Sequence, residues 1–135
     1  MERNTLFNGN YVINALGGYK FKVGTYHTLS LDIKIVSAGG KRYIPIDTTL
    51  SQMAHEAVYD FSKAYEKRFP DYFRIDARAG MKFNFRKFNM EFGFDVQNIT
   101  NHRNVFLETY DVEKNKVSYD YQLGLFYIFL VRFQF

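Results

Sequence analysis

The chain has 135 residues, among them 15 Phe and 11 Tyr but no Trp and no Cys, and carries a net charge of +4. Its mean hydropathy is -0.31 and its pI about 9.2. The aromatic load argues against disorder, the lack of Cys excludes disulfides, thiol catalysis and Cys-based zinc sites, and no run of ~18 uncharged apolar residues offers a helical membrane span.

The basic residues are scattered, with tight pairs only at Lys41-Arg42, Lys67-Arg68 and Arg86-Lys87. No basic stripe with interleaved stacking aromatics therefore marks a nucleic-acid site. The start, Met1-Glu2-Arg3-Asn4-Thr5, is followed by no apolar stretch of signal-peptide length. As written such a chain would not be exported, so the expectation is either a cytosolic chain or a piece of something longer whose leader lies upstream.

From Tyr11 the sequence alternates. Tyr11, Ile13, Ala15, Gly17, Tyr19 and Phe21 interleave with Val12, Asn14, Leu16, Gly18, Lys20 and Lys22. Period two is the mark of a strand with two different faces. Gly17-Gly18 predicts a bulge or close packing. A short turn around Gly24 leads to Leu29, Leu31, Ile33 and Ile35, which alternate with Ser30, Asp32 and Lys34.

A long connection follows, from Gly39 to Pro70. Within it Leu50, Met53, Ala54, Ala57, Val58, Phe61, Ala64 and Tyr65 fit helical spacing. A short helix within Thr49–Lys67, capped by Asp47 or Thr48, is one reading. An irregular loop packing its apolar residues is the other.

The strongest alternation runs from Phe73 to Phe85. Phe73, Ile75, Ala77, Ala79, Met81, Phe83 and Phe85 make one face; Arg74, Asp76, Arg78, Gly80, Lys82, Asn84 and Arg86 make the other. A helix would mix the two sets, and the run exceeds the ~5–6 residues usual for soluble strands. Arg86-Lys87 leaves room only for a tight hairpin before Phe88, Met90, Phe92, Phe94 and Val96 resume the apolar face.

The second long connection, after Asn98, contains a small hairpin predicted from Val105–Tyr110 and Val117–Tyr121. The final run is Tyr127, Phe129, Val131, Phe133 and Phe135, alternating with Ile128, Leu130, Arg132 and Gln134. Short and long connections thus alternate, so short turns share one rim and long loops the other. Outer-membrane barrels pair short periplasmic turns with long extracellular loops.

Alternation alone does not say which face meets water. Strands near or above the ~9–11 residues that cross a bilayer at a tilt favour a membrane. So do aromatics near strand ends (Tyr19, Phe21, Tyr26, Phe83, Phe85, Phe88, Phe133, Phe135), as in the girdles of such barrels. Large charges on the other face, namely Arg74, Asp76, Arg78, Lys82, Glu91, Asp95 and Arg132, suit a wet or plugged lumen. The fold expected is all-β: antiparallel strands of a partial transmembrane barrel, with a short helix as one reading of 39–70.

The terminal run ending in Phe resembles the assembly signal of outer-membrane barrels, carried here by Tyr127, Phe129, Val131, Phe133 and Phe135. The segments 38–47, 70–76 and Asp95-Val96-Gln97-Asn98-Ile99-Thr100-Asn101, with Tyr121–Phe126, look like the C-terminal barrel region of TonB-dependent receptors. The flavour is that of Bacteroidota, whose members often carry a carboxypeptidase-regulatory-like extension. The resemblance covers nearly the whole chain.

It implies active uptake of a scarce nutrient of the siderophore, cobalamin or glycan class, through a plugged barrel of about 22 strands in the bacterial outer membrane. Implied partners are outer-membrane lipid, the remaining barrel and plug, the barrel-assembly machinery and the TonB complex. Residues 1–135 would form one C-terminal segment, since five main strands fall short of the roughly eight that close a membrane barrel.

No enzyme, cofactor or metal is expected. His27, His55 and His102 lie far apart, and His55-Glu56 lacks the second His of a zinc-protease helix. Asp76, Glu91 and Asp95 are expected in cross-strand ion pairs with Arg74, Arg78 and Lys82 rather than in acid–base work. Asn98-Ile99-Thr100 matches a sequon, but Asn98 and Asn101 are expected to cap the turn out of the strand. Tyr43, Tyr59, Phe61 and Tyr65 are loop aromatics that could stack on a ligand. The alternatives are a small soluble β-barrel with an apolar ligand inside, and a strand-rich piece that adds edge-to-edge to a partner barrel.

Overall fold

The computed structural model describes residues 5, 6 and 8–135; Met1–Asn4, on which the leader expectation bears, lie outside them. The chain is mostly antiparallel β with one seven-residue helix. In order it forms β1 (Val12–Val23), β2 (His27–Ala38), β3 (Arg42–Tyr43), α1 (Thr48–Ala54), a 3-10 turn at Phe61–Lys63, β4 (Lys67–Arg68), β5 (Tyr72–Asn84), β6 (Asn89–Gln97), β7 (Val105–Asp111), β8 (Lys116–Tyr121) and β9 (Phe126–Gln134). These contacts divide into two compact units of nearly equal content.

One unit, built from 13–36, 73–102 and 123–135, holds a five-stranded sheet in the order β1-β2-β5-β6-β9. Each strand falls where period-two alternation predicts it, within a residue or two at most ends. β5 and β6 pair with Gly80 opposite Gly93 and Met81 opposite Phe92. β6 and β9 pair with Phe92 opposite Val131 and Phe94 opposite Phe129. The Asn84 amide donates to the Tyr26 carbonyl and Ser30 Oγ to the Gly80 carbonyl, so β2 runs antiparallel to β5. The β5–β6 turn closes where the Phe85 amide donates to the Phe88 carbonyl, leaving Arg86-Lys87 as its tip. β1, β5 and β9 run one way and β2 and β6 the other.

The register puts the two sequence patterns on two faces. Met81, Phe92 and Val131 form one row, and Ala79, Phe94 and Phe129 the next. The opposite face carries Gly80, Gly93 and Leu130 in one row and Lys82, Glu91 and Arg132 in another. Gly18 is where close packing operates: a Cβ there would run into the Asp32 carboxylate, whereas Gly17 faces open space.

The sheet stays open, with β1 and β9 as its edges, and among the described residues of its own unit no second layer covers either face. Tyr19 is 65% exposed and Phe129 66%. Among the described residues Ile46, in the other unit, is the one buried large apolar side chain.

That other unit comprises the described residues up to Val12 with 37–72 and 103–122. It contains the β3–β4 and β7–β8 pairs, the latter the small hairpin predicted from sequence, with a register irregularity between Val105 and Leu107. Asp47 caps α1, its side chain accepting from the Leu50 amide at 3.0 Å. The helix is shorter than the apolar spacing allowed. His55 turns left-handed at φ 55°, and the chain folds back so that the Asp47 amide meets the Val58 carbonyl at 2.8 Å. Buried Ser51 fixes the return by accepting from the Val58 amide at 2.9 Å. Asp71 ties the unit's ends, accepting from the Gly40 amide and the Tyr11 hydroxyl, both at 3.0 Å.

Candidate functional site

The polar face of the sheet gathers most of the chain's chemistry. Arg74, Asp76, Arg78 and Lys82 on β5, Glu91 and Asp95 on β6 and Arg132 on β9 all share it. Arg74 Nε meets Asp76 Oδ1 at 2.6 Å, two residues along its own strand, and Arg74 Nη2 donates to Gln97 Oε1 at 2.8 Å. Asp76 Oδ1 also accepts from the Asn98 amide at 2.9 Å. Arg78 Nε lies 3.4 Å from Asp95 Oδ1 across the β5–β6 pair. Arg132 Nη1 lies 3.6 Å from Glu91 Oε2 across β6–β9.

The expected ion-pair scheme is therefore altered in two places. Asp76 pairs within its strand, and Glu91 pairs with Arg132 although its direct register partner is Lys82. No ion pair of Lys82 is found among the described residues. A shallow pocket of about 320 Å³ opens on this face between Leu16, Asp32, Lys34, Asp76, Arg78, Asp95 and Gln97.

At the end of β6, Asn98 is fully buried and left-handed at φ 52°. Its Nδ2 donates to the His102 and Leu123 carbonyls at 3.0 and 3.3 Å. Its Oδ1 accepts from the His102 amide at 3.1 Å. Asn101, at φ 50°, accepts the Leu125 amide at 3.0 Å. Together they bind the exit of β6 to the approach of β9, as the turn-capping reading expected.

Tyr127, Phe129, Val131 and Phe133 stand on the apolar face of β9 opposite Val96, Phe94, Phe92 and Met90, while Phe135 follows the strand fully exposed. Phe94 stacks on Tyr127 with centroids 6.0 Å apart. Phe83, Phe85 and Phe88 form a chain of ring contacts at the short-turn end of β5, with His27 against Phe83 and Phe85.

In the other unit the four loop aromatics are not drawn into one platform. Tyr43 stacks flat on Phe69, centroids 4.1 Å apart. Burial, then the neighbouring Glu108 carboxylate, pushes its hydroxyl pKa upward. Tyr59 bridges to Ile46, Phe61 stands exposed on the 3-10 turn, and the Tyr65 amide donates to the Tyr43 carbonyl at 3.1 Å. Sequence reasoning missed Glu108, whose carboxylate accepts the Ile46 amide at 3.1 Å. A contact spanning so much chain leaves no local signal.

His55 ends α1 and His102 packs edge-on against Phe73. Among the described residues no group of three or more His, Asp or Glu could hold a metal ion. No described helix is long and apolar enough to cross a membrane, which says nothing of strands. No protein-family model matches the chain, and no curated protein and no solved structure matches it.

Proposed function

We propose that the chain is part of the C-terminal barrel region of a TonB-dependent outer-membrane receptor, serving active uptake of a siderophore, cobalamin or glycan. One observation carries this reading: a sheet of five antiparallel strands presents a continuous apolar, aromatic face that nothing in its own unit covers. In water such a face is unfavourable by roughly 25 cal/mol per Å² left exposed. Against hydrocarbon it is stable, and strand length and aromatic distribution suit that setting. The connections support it too. β1–β2 and β5–β6 are joined by short turns, and the long connections leave from the opposite strand ends.

In this reading Arg74, Asp76, Arg78, Lys82, Glu91, Asp95 and Arg132 face the lumen and Tyr127, Phe129, Val131 and Phe133 face lipid. The chain has no catalytic role. Its partners are outer-membrane lipid, the rest of the barrel and plug, the assembly machinery and, through the plug side, the TonB complex. A closed interior holding Phe73, Ile75, Met81, Phe92 and Phe94, which a soluble ligand-binding barrel requires, is not formed by this open sheet.

The absence of native Cys makes the test clean. Single cysteines at Phe129, Val131, Leu130 and Arg132 are introduced, and the chain is reconstituted in phospholipid vesicles. A water-soluble maleimide should label positions 130 and 132 and spare 129 and 131. Equal labelling of odd and even positions would sink the proposal.

A further inference from the structure

The short-turn end of the sheet brings rings, charge and an apolar face to one place. The β1–β2 turn at 24–26 and the Arg86-Lys87 tip of β5–β6 are neighbours there, because the Asn84 amide donates to the Tyr26 carbonyl. Tyr26 is 67% exposed on the first turn. On the second, Phe85 and Phe88 are partly exposed with ring centroids 4.7 Å apart, and Phe85 stacks on Phe83 behind it. Arg86 and Lys87 are exposed, and among the described residues no ion pair reaches either. Beyond the rings the apolar face continues without a charge, row after row, from Phe83, Met90 and Phe133 to Ala77, Val96 and Tyr127. With successive rows about 6.6–7 Å apart, this stretch covers about 20 Å of strand. At the ~35–45° tilt of barrel strands that is about 15 Å of depth, half of a ~30 Å hydrocarbon core.

We infer that the Arg86-Lys87 tip binds the phosphate headgroups of anionic phospholipids, with the aromatic face behind it against their acyl chains. The inference rests on the barrel-segment reading and goes further. That reading asks only for hydrocarbon on the apolar face, whereas two unpaired cations at the end of that face select for negative charge in the headgroups. Tyr26 suits the same level, since an amphipathic ring is favoured where hydrocarbon gives way to water. Single-stranded nucleic acid would find Phe85 and Phe88 to stack on, and an acidic peptide would find both cations. Either would leave the apolar rows behind the rings in water. A phospholipid matches both parts at once, with charge at the tip and hydrocarbon along one leaflet's depth of rows.

The test transfers the full chain from a neutral detergent to vesicles of phosphatidylcholine, plain or doped with phosphatidylglycerol, and reads the bound fraction by flotation. Binding should be about tenfold tighter to the doped vesicles, given the worth of each cation near an anionic surface. Raised salt should remove the difference. Arg86→Gln/Lys87→Gln should reduce the preference to about twofold. Lys41→Gln/Lys116→Gln, which removes the same charge from the other unit, should leave it as it was. If circular dichroism shows the tip variant misfolded, Lys87→Gln alone should lower the preference about threefold. No preference for doped vesicles, equal losses in the two double variants, or no loss in the single variant would overturn the proposal. So would release of the chain from doped vesicles by oligo-dT or by a Glu-rich octapeptide. The barrel reading fails separately: it is sunk by loss of the odd–even cysteine contrast in plain phosphatidylcholine, whereas an intact contrast without headgroup preference sinks this inference alone.

Discussion

Asn98 shows how one side chain can fix the route between two strands. Two carbonyls and one amide depend on its carboxamide, and its backbone sits where Asn and Gly are favoured. Asn98→Ala should therefore cost about 2–3 kcal/mol, read as a lower urea midpoint in detergent. Asn98→Gly should relieve the backbone but restore little, because the carbonyls of His102 and Leu123 still lose their donor. This site was legible in sequence as a turn element, since Asn-rich turns need a polar side chain and a permissive backbone. What was not legible was burial, because Leu123 comes to Asn98 only through β6–β9 pairing.

Acid should weaken the loop unit. Asp60, held by hydrogen bonds from Ser62 and then by Lys63, is lowered to about 2 from 3.8. Asp71 is lowered by the Gly40 amide and then by the Tyr11 hydroxyl. Both groups bind their proton less tightly folded than unfolded. Their contribution is complete above the ordinary carboxylate range and is lost as pH falls below it toward the folded values. Carboxyl NMR titration should find the Asp60 midpoint near 2, and the Asp71 midpoint below that of an ordinary carboxylate. An Asp60 midpoint near 3.8 would contradict the capping geometry.

At the level of single elements, β9 offers the sharpest contrast. Phe129 lies mid-strand opposite Phe94 on the apolar face, and Leu130 beside it faces Gly93. With lipid on the apolar side, Phe129→Arg should destabilise the folded chain in vesicles by about 2–4 kcal/mol and Leu130→Arg by much less. Unfolding in urea checks both. A comparable cost for the two would mean the faces are not distinguished by solvent. Gly80 probes the other side, since a Cβ there would stand 2.6 Å from Ser30 Oγ. Gly80→Val should turn the Ser30 hydroxyl away from the Gly80 carbonyl and lower stability modestly, read as the same midpoint. The strands were legible because alternation is a local property of each run. The end of α1 was not: the apolar spacing continued to Tyr65, but the chain turned at His55 to satisfy Asp47 and Ser51.

For the molecule as a whole, aromatic content misleads if read as a core. The 15 Phe and 11 Tyr look sufficient for a soluble domain, yet among the described residues the buried large apolar side chain is Ile46. Thermal unfolding in plain buffer should accordingly be broad or end in aggregation, and should sharpen in detergent or lipid. A sharp, reversible transition in buffer alone would contradict the lipid-facing reading. Sequence periodicity could tell that two faces exist, but only strand order shows that neither face is roofed by this sheet.

The strand count has a consequence of parity. β1 and β9, the two free edges, run in the same direction. Bringing them together directly would make a parallel joint, and a second copy inserted the same way up would meet the first in the same mismatch. An all-antiparallel cylinder containing this sheet must therefore interpose an odd number of further strands. Bacterial single-chain barrels have even totals, so the complement that completes this sheet is itself odd.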